Sequence, residues 1–443
     1  MAGPSDKARF YLEHSATELN ELLRKEIFTR DEISSIAKKR SDFEHIINAR
    51  GSTPLDYLRY VEFEQNVDAL RRKRIKRMGV RYKGSGQRSI YAIFNRGTRK
   101  FKGDLGLWMQ YIEFARKDKA YKRLNEIFTS VVRLHPTKPE LWIYAASYFM
   151  ETQADITDAR SYMQRGLRFC KHSELLWLEY AKLETIYIAK IAGRRKVLGL
   201  DVDRTKQEAD EEDGDMIALP DVTAEDVNPS LRKEDAVDEV ALQHLAEAPV
   251  LTGAIPIAVF DAAMQQFKDA ALAERFFTMF AGFEQLPCLK RILQHVADYL
   301  NQNAPQSAQR IACNFRLRML NIHPTSTEFP LAFAEALELL ASASESQKAH
   351  IAEVVIRQVL SFLLVDDAED IEATVRKVLL SRLRFWSRVL EEAADKNGNA
   401  IVKLAESLRK DGKKADAEFL IRASIKQWGA NEELQKLHSS LDT

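Results

Sequence analysis

The longest dense group of basic side chains in this sequence is a run between residues 71 and 83. It holds eight lysines and arginines in thirteen positions, namely Arg71, Arg72, Lys73, Arg74, Lys76, Arg77, Arg81 and Lys83. Such groups bind phosphate oxygens and gain affinity by releasing counterions from a nucleic acid. The run therefore predicts an RNA contact or a nuclear localisation signal. The alternative is a solvated helix face that pairs with acidic neighbours such as Glu62 and Glu64.

A second charged block lies at residues 38–45. Its charged members are candidates for docking a partner protein: Lys38, Lys39, Arg40, Asp42, Glu44 and His45. The alternative is a helix end that packs the aromatic ring of Phe43 into an apolar core. The sequence alone leaves both interpretations open for the charged side chains, and it favours a core position for Phe43.

No pattern in the sequence points to catalysis or to a bound cofactor. The cysteines Cys170, Cys288 and Cys313 are far apart, and neither a C-x-x-C pair nor an H-E-x-x-H motif is present. Spacing alone assigns no nucleophile to a base. The longest apolar stretch, residues 248–260, is broken by prolines and a glycine and is too short to span a bilayer. We expect no enzyme activity, no metal, no cofactor, no small-molecule substrate and no membrane partner.

Tryptophans recur along the first half of the chain with a nearly constant period. Trp108, Trp142 and Trp177 are 34 and 35 residues apart, and apolar residues follow each one at helical spacing. A fixed period of this length is typical of stacked helix pairs, because one pair cannot bury its apolar face alone. The predicted repeat core consists of Tyr57, Trp108, Tyr111, Trp142, Tyr148, Trp177, Tyr180 and Phe277.

Punctuation residues mark where helices begin and where they approach each other. Thr29 with Glu32 has the pattern of a capping box, and Thr53 followed by Pro54 is typical of a helix start. Gly97 and Gly166 recur at the same phase of the second helix of a pair. Because glycine weakens a helix, this recurrence predicts close contact with a neighbouring helix.

The charge pattern divides the chain into four segments. We predict an N-terminal helical region at residues 1–52, a first repeat array at 53–199, an acidic linker at 200–238 and a second helical array at 239–443. The linker prediction rests on eleven acidic and two basic residues between Asp201 and Asp226. A segment of this composition cannot bury enough apolar surface to order itself.

The repeats resemble the HAT (half-a-TPR) family, which is associated with RNA-processing assemblies. The resemblance is carried by the W-x-x-Y-x-x-F line that begins at Trp108, and it is good over residues 54–190 and partial over 260–430. The block from Lys38 to His45, followed by Asn-Ala-Arg-Gly-Ser at 48–52, is similar to the HAT-repeat subunits of the UtpB complex.

This resemblance implies an all-α, HAT/TPR-like helical-repeat solenoid with an N-terminal helical extension. It implies a non-catalytic nucleolar scaffold of the small-subunit processome, which matures the precursor of 18S rRNA. The implied partners are the β-propeller (WD40) subunits of UtpB, together with precursor rRNA and the U3 small nucleolar RNA. Two alternatives remain: a HAT scaffold of mRNA splicing or 3′-end processing, and a TPR-like peptide receptor.

Overall fold

The computed structural model describes residues 4–82, 86–197, 249–341, 343–364, 371–393, 397–428 and 431–439. These ranges contain nineteen α-helices and no β-strand, which confirms the predicted all-α helical-repeat fold. The chain divides into two compact units, Met1–Ala145 and Ala146–Thr443. This division differs from the four predicted segments, whose limits stay a prediction. The predicted acidic linker at 200–238 lies outside the described residues.

The first unit is built from helices that pack on one another in chain order. They are α1 (Pro4–Arg24), α2 (Arg30–Asn48), α3 (Pro54–Met78), α4 (Gln87–Lys100), α5 (Leu105–Lys117) and α6 (Tyr121–Leu134). Each helix from α1 to α5 contacts the next one along the chain. The following helix, α7 (Pro139–Tyr148), includes the residue at which the two units divide.

The predicted helix starts are confirmed by their hydrogen bonds. Thr29 donates its backbone N–H to Glu32 Oε2 at 2.9 Å and accepts from the Glu32 backbone N–H through Oγ1 at 3.3 Å. Thr53 forms the equivalent box with Asp56 at the start of α3, where Pro54 is the first helical residue. These caps satisfy backbone donors that a helix leaves unpaired, and they fix where α2 and α3 begin.

The close helix contact predicted at Gly97 is also present. Gly97 is buried in α4, and a Cβ atom at this position would lie 3.0 Å from Cδ1 of Tyr57 and 3.1 Å from Cδ2 of Leu107. Both of those side chains are buried. Glycine therefore lets the backbone of α4 approach the side chains of α3 and α5.

One hydrogen bond recurs with the tryptophan period. The indole Nε1–H donates to the carbonyl oxygen six residues earlier: Trp108 to Lys102 at 3.1 Å, Trp142 to Pro136 at 2.9 Å and Trp177 to Lys171 at 3.3 Å. Each bond fastens the turn before a helix to the first turns of that helix. The spacing in sequence therefore reflects a repeated local geometry as well as a repeated core position.

The predicted repeat-core residues are buried, with one exception. Tyr57, Trp108, Tyr111, Trp142, Tyr148, Tyr180 and Phe277 are all nearly inaccessible to solvent. Trp177 is only half-buried, which corrects its assignment to the core. Its helix packs on α10 and α11, which follow the undescribed segment 198–248 in the sequence.

The second unit contains the remaining helices. They are α8 (Ile156–Phe169), α9 (Glu174–Val197), α10 (Ala254–Phe267), α11 (Ala270–Ala281), α12 (Leu289–Asn303), α13 (Ala308–Arg318), α14 (Phe329–Leu340), α15 (Glu345–Leu363), α16 (Ala373–Glu392), α17 (Asn399–Lys410), α18 (Lys414–Trp428) and α19 (Glu432–Ser439). A π-helical turn, Phe149–Gln153, extends α7 directly before α8. Helices α13 to α19 share one large apolar core.

Helix packing continues across the undescribed segment 198–248. Helix α9 packs directly against α10 and α11. Gln266 donates from Nε2 to the Lys171 carbonyl at 2.8 Å, and Arg275 pairs with Glu174 at 2.7 Å. Segment 198–248 therefore interrupts the sequence between helices that are neighbours in the fold.

A histidine–glutamate pair joins α11 to α15 in the second unit. His350 Nε2 lies 2.8 Å from Oε2 and 3.0 Å from Oε1 of Glu274. The hydrogen bond to Glu274 raises the pKa of His350 above its usual value, although burial opposes the shift.

Gly97→Ala should destabilise the protein even though alanine is the better helix former. Alanine gains up to about 1 kcal/mol of helix propensity, but overpacking typically costs about 1–3 kcal/mol. We expect a net loss of about 1 kcal/mol in the free energy of unfolding, measured with urea. Gly193→Ala is the matched control, because Gly193 is also helical and a Cβ atom added there would have nothing within 4 Å. That variant should be stabilised by about 0.5–1 kcal/mol, and the same sign for both variants would refute the close contact.

Loss of the His350–Glu274 pair should change how stability depends on pH. Because the folded-state pKa of His350 is raised, the pair stabilises fully below the unfolded pKa of about 6.5, and this contribution is lost as pH rises through the folded pKa. His350→Gln should therefore reduce stability more at about pH 5.5 than at about pH 8.5. Glu274→Gln should abolish the same pH dependence, as thermal unfolding can test. A deficit in His350→Gln that is equal at both pH values would exclude the linkage.

Candidate interaction surface

A buried ion pair connects the charged block of α2 to α3. Arg40 Nε and Nη2 donate to the two carboxylate oxygens of Glu64 at 2.7 and 2.8 Å. Both residues are at most 4% exposed. Burial alone lowers the pKa of Arg40, but the charge of Glu64 and its hydrogen bonds outweigh burial and raise that pKa. Arg40 is therefore held as a cation inside the first unit.

A second bidentate pair connects α2 to α4. Arg96 Nη1 and Nη2 each donate to a carboxylate oxygen of Glu44 at 2.8 Å, and Glu44 is 2% exposed. The carboxylate bonds the N–H edge of the Arg96 guanidinium, and the guanidinium carbon lies 3.9 Å from the ring centre of Tyr11 in α1. A planar guanidinium can bond a carboxylate and stack on an aromatic ring at once. Four helices thus meet around these two ion pairs, which we call the ionic layer (Tyr11, Arg40, Glu44, Glu64 and Arg96).

The ionic layer corrects part of the predicted docking block. Arg40 and Glu44 are buried and bonded within the protein, so they do not present their charges to a partner. Lys38, Lys39, Asp42 and His45 are not buried, and docking by these four stays a prediction.

Phe43 and Lys39, two further residues of this block, contact aromatic rings of α3. Phe43 is only half-buried, which corrects its predicted position in the core. Its ring stacks on Tyr60 with ring centres 5.1 Å apart. Lys39 Nζ lies over the ring of Phe63 at 5.6 Å. Helix α2 therefore uses its apolar and buried charged residues for packing and leaves its lysines in contact with solvent.

Three arginines of the basic run are neutralised within the first unit. Arg71 is buried and bonds Asp68 and Glu18, and Arg72 pairs with Asp68 at 2.7 Å. Arg74 donates to both carboxylate oxygens of Glu32 at 2.6 and 2.7 Å. Hydrogen bonds from Arg74, followed by one from the Thr29 backbone, lower the pKa of Glu32 to about 2. The acidic-partner alternative thus holds for these three arginines, with partners other than Glu62 and Glu64.

Four other cations of the run remain available to a ligand. Lys73, Lys76, Arg77 and Arg81 are exposed, and none of them forms an ion pair with a carboxylate in the described parts of the chain. Lys83 lies outside the described residues. Contact between RNA phosphates and this smaller set stays a prediction.

Sequence reasoning missed the partners that neutralise the run. The Asp68 pairs could have been found, because residues three and four apart share a helix face. Glu18 and Glu32 come from other helices, 53 and 42 residues away from their arginines. No local pattern in the sequence indicates those contacts.

A cavity of about 400 Å³ lies beside the ionic layer and is lined by charged and apolar residues of α1 to α4 and by Tyr82. Arg40 Nη1 and the Tyr82 hydroxyl are buried there without a hydrogen-bond partner among the described residues. Water suits such a cavity, because its unpaired donors require polar acceptors.

A separate groove of about 450 Å³ bears on the peptide-receptor alternative. Its charged lining residues are of both signs: Glu62, Arg72, Glu113, Lys117 and Asp118. A receptor for acidic peptide tails requires a concentration of cations in its groove. The described part of this groove has no such excess.

The cysteines and the possible metal ligands are the remaining candidates for chemistry. Cys170, Cys288 and Cys313 are buried and form no disulfide in the described parts of the chain, and burial raises the pKa of the Cys288 and Cys313 thiols. Across the described ranges, histidine, cysteine and carboxylate side chains form no group of three that could hold a metal ion. No described helix is long and apolar enough to cross a membrane.

Removing one partner of the buried pair should be far more damaging than removing both. Glu64→Gln leaves the buried Arg40 charge with only the longer contact to Glu18 at 3.8 Å, and the loss of a buried partner typically costs about 3–5 kcal/mol. The double variant R40M/E64L should recover part of the stability in urea unfolding, because neither position then carries a buried charge without its partner. Glu113→Gln is the control, since the Glu113–Lys117 pair is exposed and worth at most about 1 kcal/mol. Equal effects for Glu64→Gln and Glu113→Gln would contradict a structural role for the ionic layer.

Known protein families match two overlapping regions of the chain. Residues 12–96 match the family model described as U3 small nucleolar RNA-associated protein 6. Residues 57–190 match the model described as suppressor of forked protein. The first match contains the whole ionic layer except Tyr11, and the second contains the tryptophan repeats.

Individual relatives have the same description. U3 small nucleolar RNA-associated protein 6 of Schizosaccharomyces pombe is 36% identical over 199 residues, which are 44% of this chain and 41% of that protein. The human homolog is 33% identical over 185 residues, or 41% of this chain and 31% of the human protein. The Dictyostelium discoideum homolog is 26% identical over 207 residues, or 46% of this chain and 34% of that homolog.

The matched regions thus span less than half of each of these relatives. Together with the all-α repeat fold, they identify the chain as a helical-repeat protein that resembles the U3 small nucleolar RNA-associated protein 6 family.

Proposed function

We propose that this chain is a non-catalytic scaffold in ribosome biogenesis, acting with the U3 small nucleolar RNA in the small-subunit processome. The similarity of residues 12–96 to the U3-associated family carries the proposal. This region contains α2, α3 and most of α4, which the two buried ion pairs lock together. The names of the relatives suggest the U3 small nucleolar RNA as the associated RNA. The ionic layer would hold α2, α3 and α4 in fixed positions, so that partner proteins can dock on them.

The scaffold role would extend to membership of the UtpB complex. The side chains of Lys38, Lys39, Asp42 and His45 lie on α2, whose opposite side is fixed by Arg40 and Glu44. A surface held in this way loses little conformational entropy when a partner binds, and this favours affinity. We expect the β-propeller subunits of UtpB to be the partners on this surface.

Contact with RNA would come from the end of α3. Lys73, Lys76 and Arg77 share one side of the last helical turns, and Arg81 follows directly. Their charges are not used by carboxylates within the described residues, so they can replace counterions on precursor rRNA or on U3 snoRNA. The proposed outcome is correct maturation of the 18S rRNA precursor in the nucleolus.

Affinity capture of the tagged chain from growing cells tests this function. We expect UtpB propeller proteins, precursor rRNA and U3 snoRNA to be recovered together. Recovery of mRNA splicing or 3′-end-processing factors without U3 would reject the ribosome-assembly role and favour the other HAT scaffold.

A charge variant tests the RNA contact separately. The triple change of Lys73, Lys76 and Arg77 to glutamine should lower recovery of RNA at about 0.2 M salt and leave the protein partners bound. The control replaces three exposed but ion-paired cations, Arg9, Lys117 and Arg275, with glutamine. Equal RNA recovery from both variants would exclude the α3 contact.

A further inference from the structure

Helix α16 has a concentration of positive charge that is not balanced by any acid on the same helix before its last turn. Five cations lie within thirteen residues: Arg376, Lys377, Arg382, Arg384 and Arg388. No aspartate or glutamate occurs from Ala373 to Leu390. All five cationic residues are exposed.

The two sides of α16 have opposite characters. Leu379, Leu383 and Trp386 are buried in the core that α16 shares with α15, α17 and α18. Lys377 and Arg384 are seven residues apart and so lie on one line along the solvent side. Val378 and Phe385 follow the adjacent line, and they are 49% and 50% exposed. The outward side thus carries a row of cations next to exposed apolar groups, one of which is an aromatic ring.

The charges of this surface have no carboxylate partner among the residues that the structure describes. None of the five cations forms an ion pair with a carboxylate in the parts of the chain that the structure describes. Arg388 donates to the side-chain oxygen of Gln427 at 2.8 and 2.9 Å when that amide is suitably oriented, and this neutral partner leaves the charge in place. The basic run of α3 differs, since three of its arginines have carboxylate partners.

We propose that the outward face of α16 binds single-stranded RNA. Lys377, Arg382 and Arg384 would contact successive phosphates, and the Phe385 ring would stack on an unpaired base. Basic side chains beside an exposed aromatic ring are the usual means of binding single strands, because every base has a face that can stack. The inference rests on the RNA-containing particle of the proposed function, but it uses a different helix from the contact proposed on α3.

Duplex RNA and an acidic protein fit this surface less well. The bases of a duplex are stacked on each other, so Phe385 would gain no stacking partner. An acidic peptide would satisfy the cations, but it offers no planar group to the ring. A merely solvated basic face needs no half-exposed Val378 and Phe385 in its centre.

Fluorescence anisotropy with the purified full chain and a labelled 20-nucleotide oligouridylate tests the charge component. The variant K377Q/R384Q should bind about tenfold more weakly, and the slope of log K against log salt should fall by about 1.4, or about 0.7 for each lost phosphate contact. The control R275Q/R318Q removes the same charge from exposed arginines that already pair with Glu174 and Glu335. It should bind within about twofold of the parent chain.

The stacking component has its own matched pair of variants. Phe385→Ala should weaken oligouridylate binding about tenfold with an unchanged salt slope. Leu331→Ala removes an apolar side chain that is 69% exposed in α14 and should have no effect. All four variants should keep the parent melting temperature, because every substituted side chain is exposed.

Several results would overturn the proposal. They are equal losses in K377Q/R384Q and R275Q/R318Q, no effect of Phe385→Ala, or tighter binding to a duplex or to polyglutamate than to oligouridylate. These outcomes are distinguishable from failure of the proposed function. Loss of U3 particles from the affinity capture would leave the binding of purified RNA to α16 unchanged.

Discussion

The first unit depends on carboxylate–guanidinium pairs that are removed from water. Arg40 with Glu64 and Arg96 with Glu44 join α2 to α3 and to α4 through four short hydrogen bonds. Two helices in apolar contact can shift along each other at little cost, but a bidentate ion pair forms both hydrogen bonds in only one relative position of its helices. The ionic layer therefore sets the register between these helices. The solvent-facing lysines of α2 keep their positions because the same helix is held from behind.

The sequence predicts the fold well because the signals that specify it are local. The tryptophan period, the Thr29–Glu32 cap and the small residue at Gly97 each report a contact within a helix or between near neighbours, and the structure contains all three. Trp177 shows the limit of this reasoning. Its local pattern equals that of Trp108, and yet it is only half-buried, because burial is decided by the neighbouring helices and not by the local pattern.

The charged surfaces are harder to predict, because a count of cations does not give the number of available cations. The run at 71–83 appears stronger in sequence than α16, yet Arg71, Arg72 and Arg74 are occupied by acids, two of which belong to other helices. Conversely, the five cations of α16 are interspersed with apolar residues and do not form a dense run. Their importance follows from the burial of the opposite side of α16, which only the packing specifies. Arg40 and Glu44 resemble surface residues in sequence for the same reason.

The π-helical turn at Phe149–Gln153 accounts for a small irregularity in the repeat length. Helix α5 begins at Leu105 and α6 at Tyr121, 16 residues later, whereas α7 begins at Pro139 and α8 at Ile156, 17 residues later. The second helix of each pair then precedes the next tryptophan helix by 18 residues in both cases. The additional residue thus lies between Pro139 and Ile156, in the stretch that contains the π-helical turn, and a π-helical turn holds one more residue than an α-helical one. Trp108, Trp142 and Trp177 all lie three residues after the start of their helices, although their spacings are 34 and 35. The π-helical turn thus makes repeats of unequal length compatible within one array.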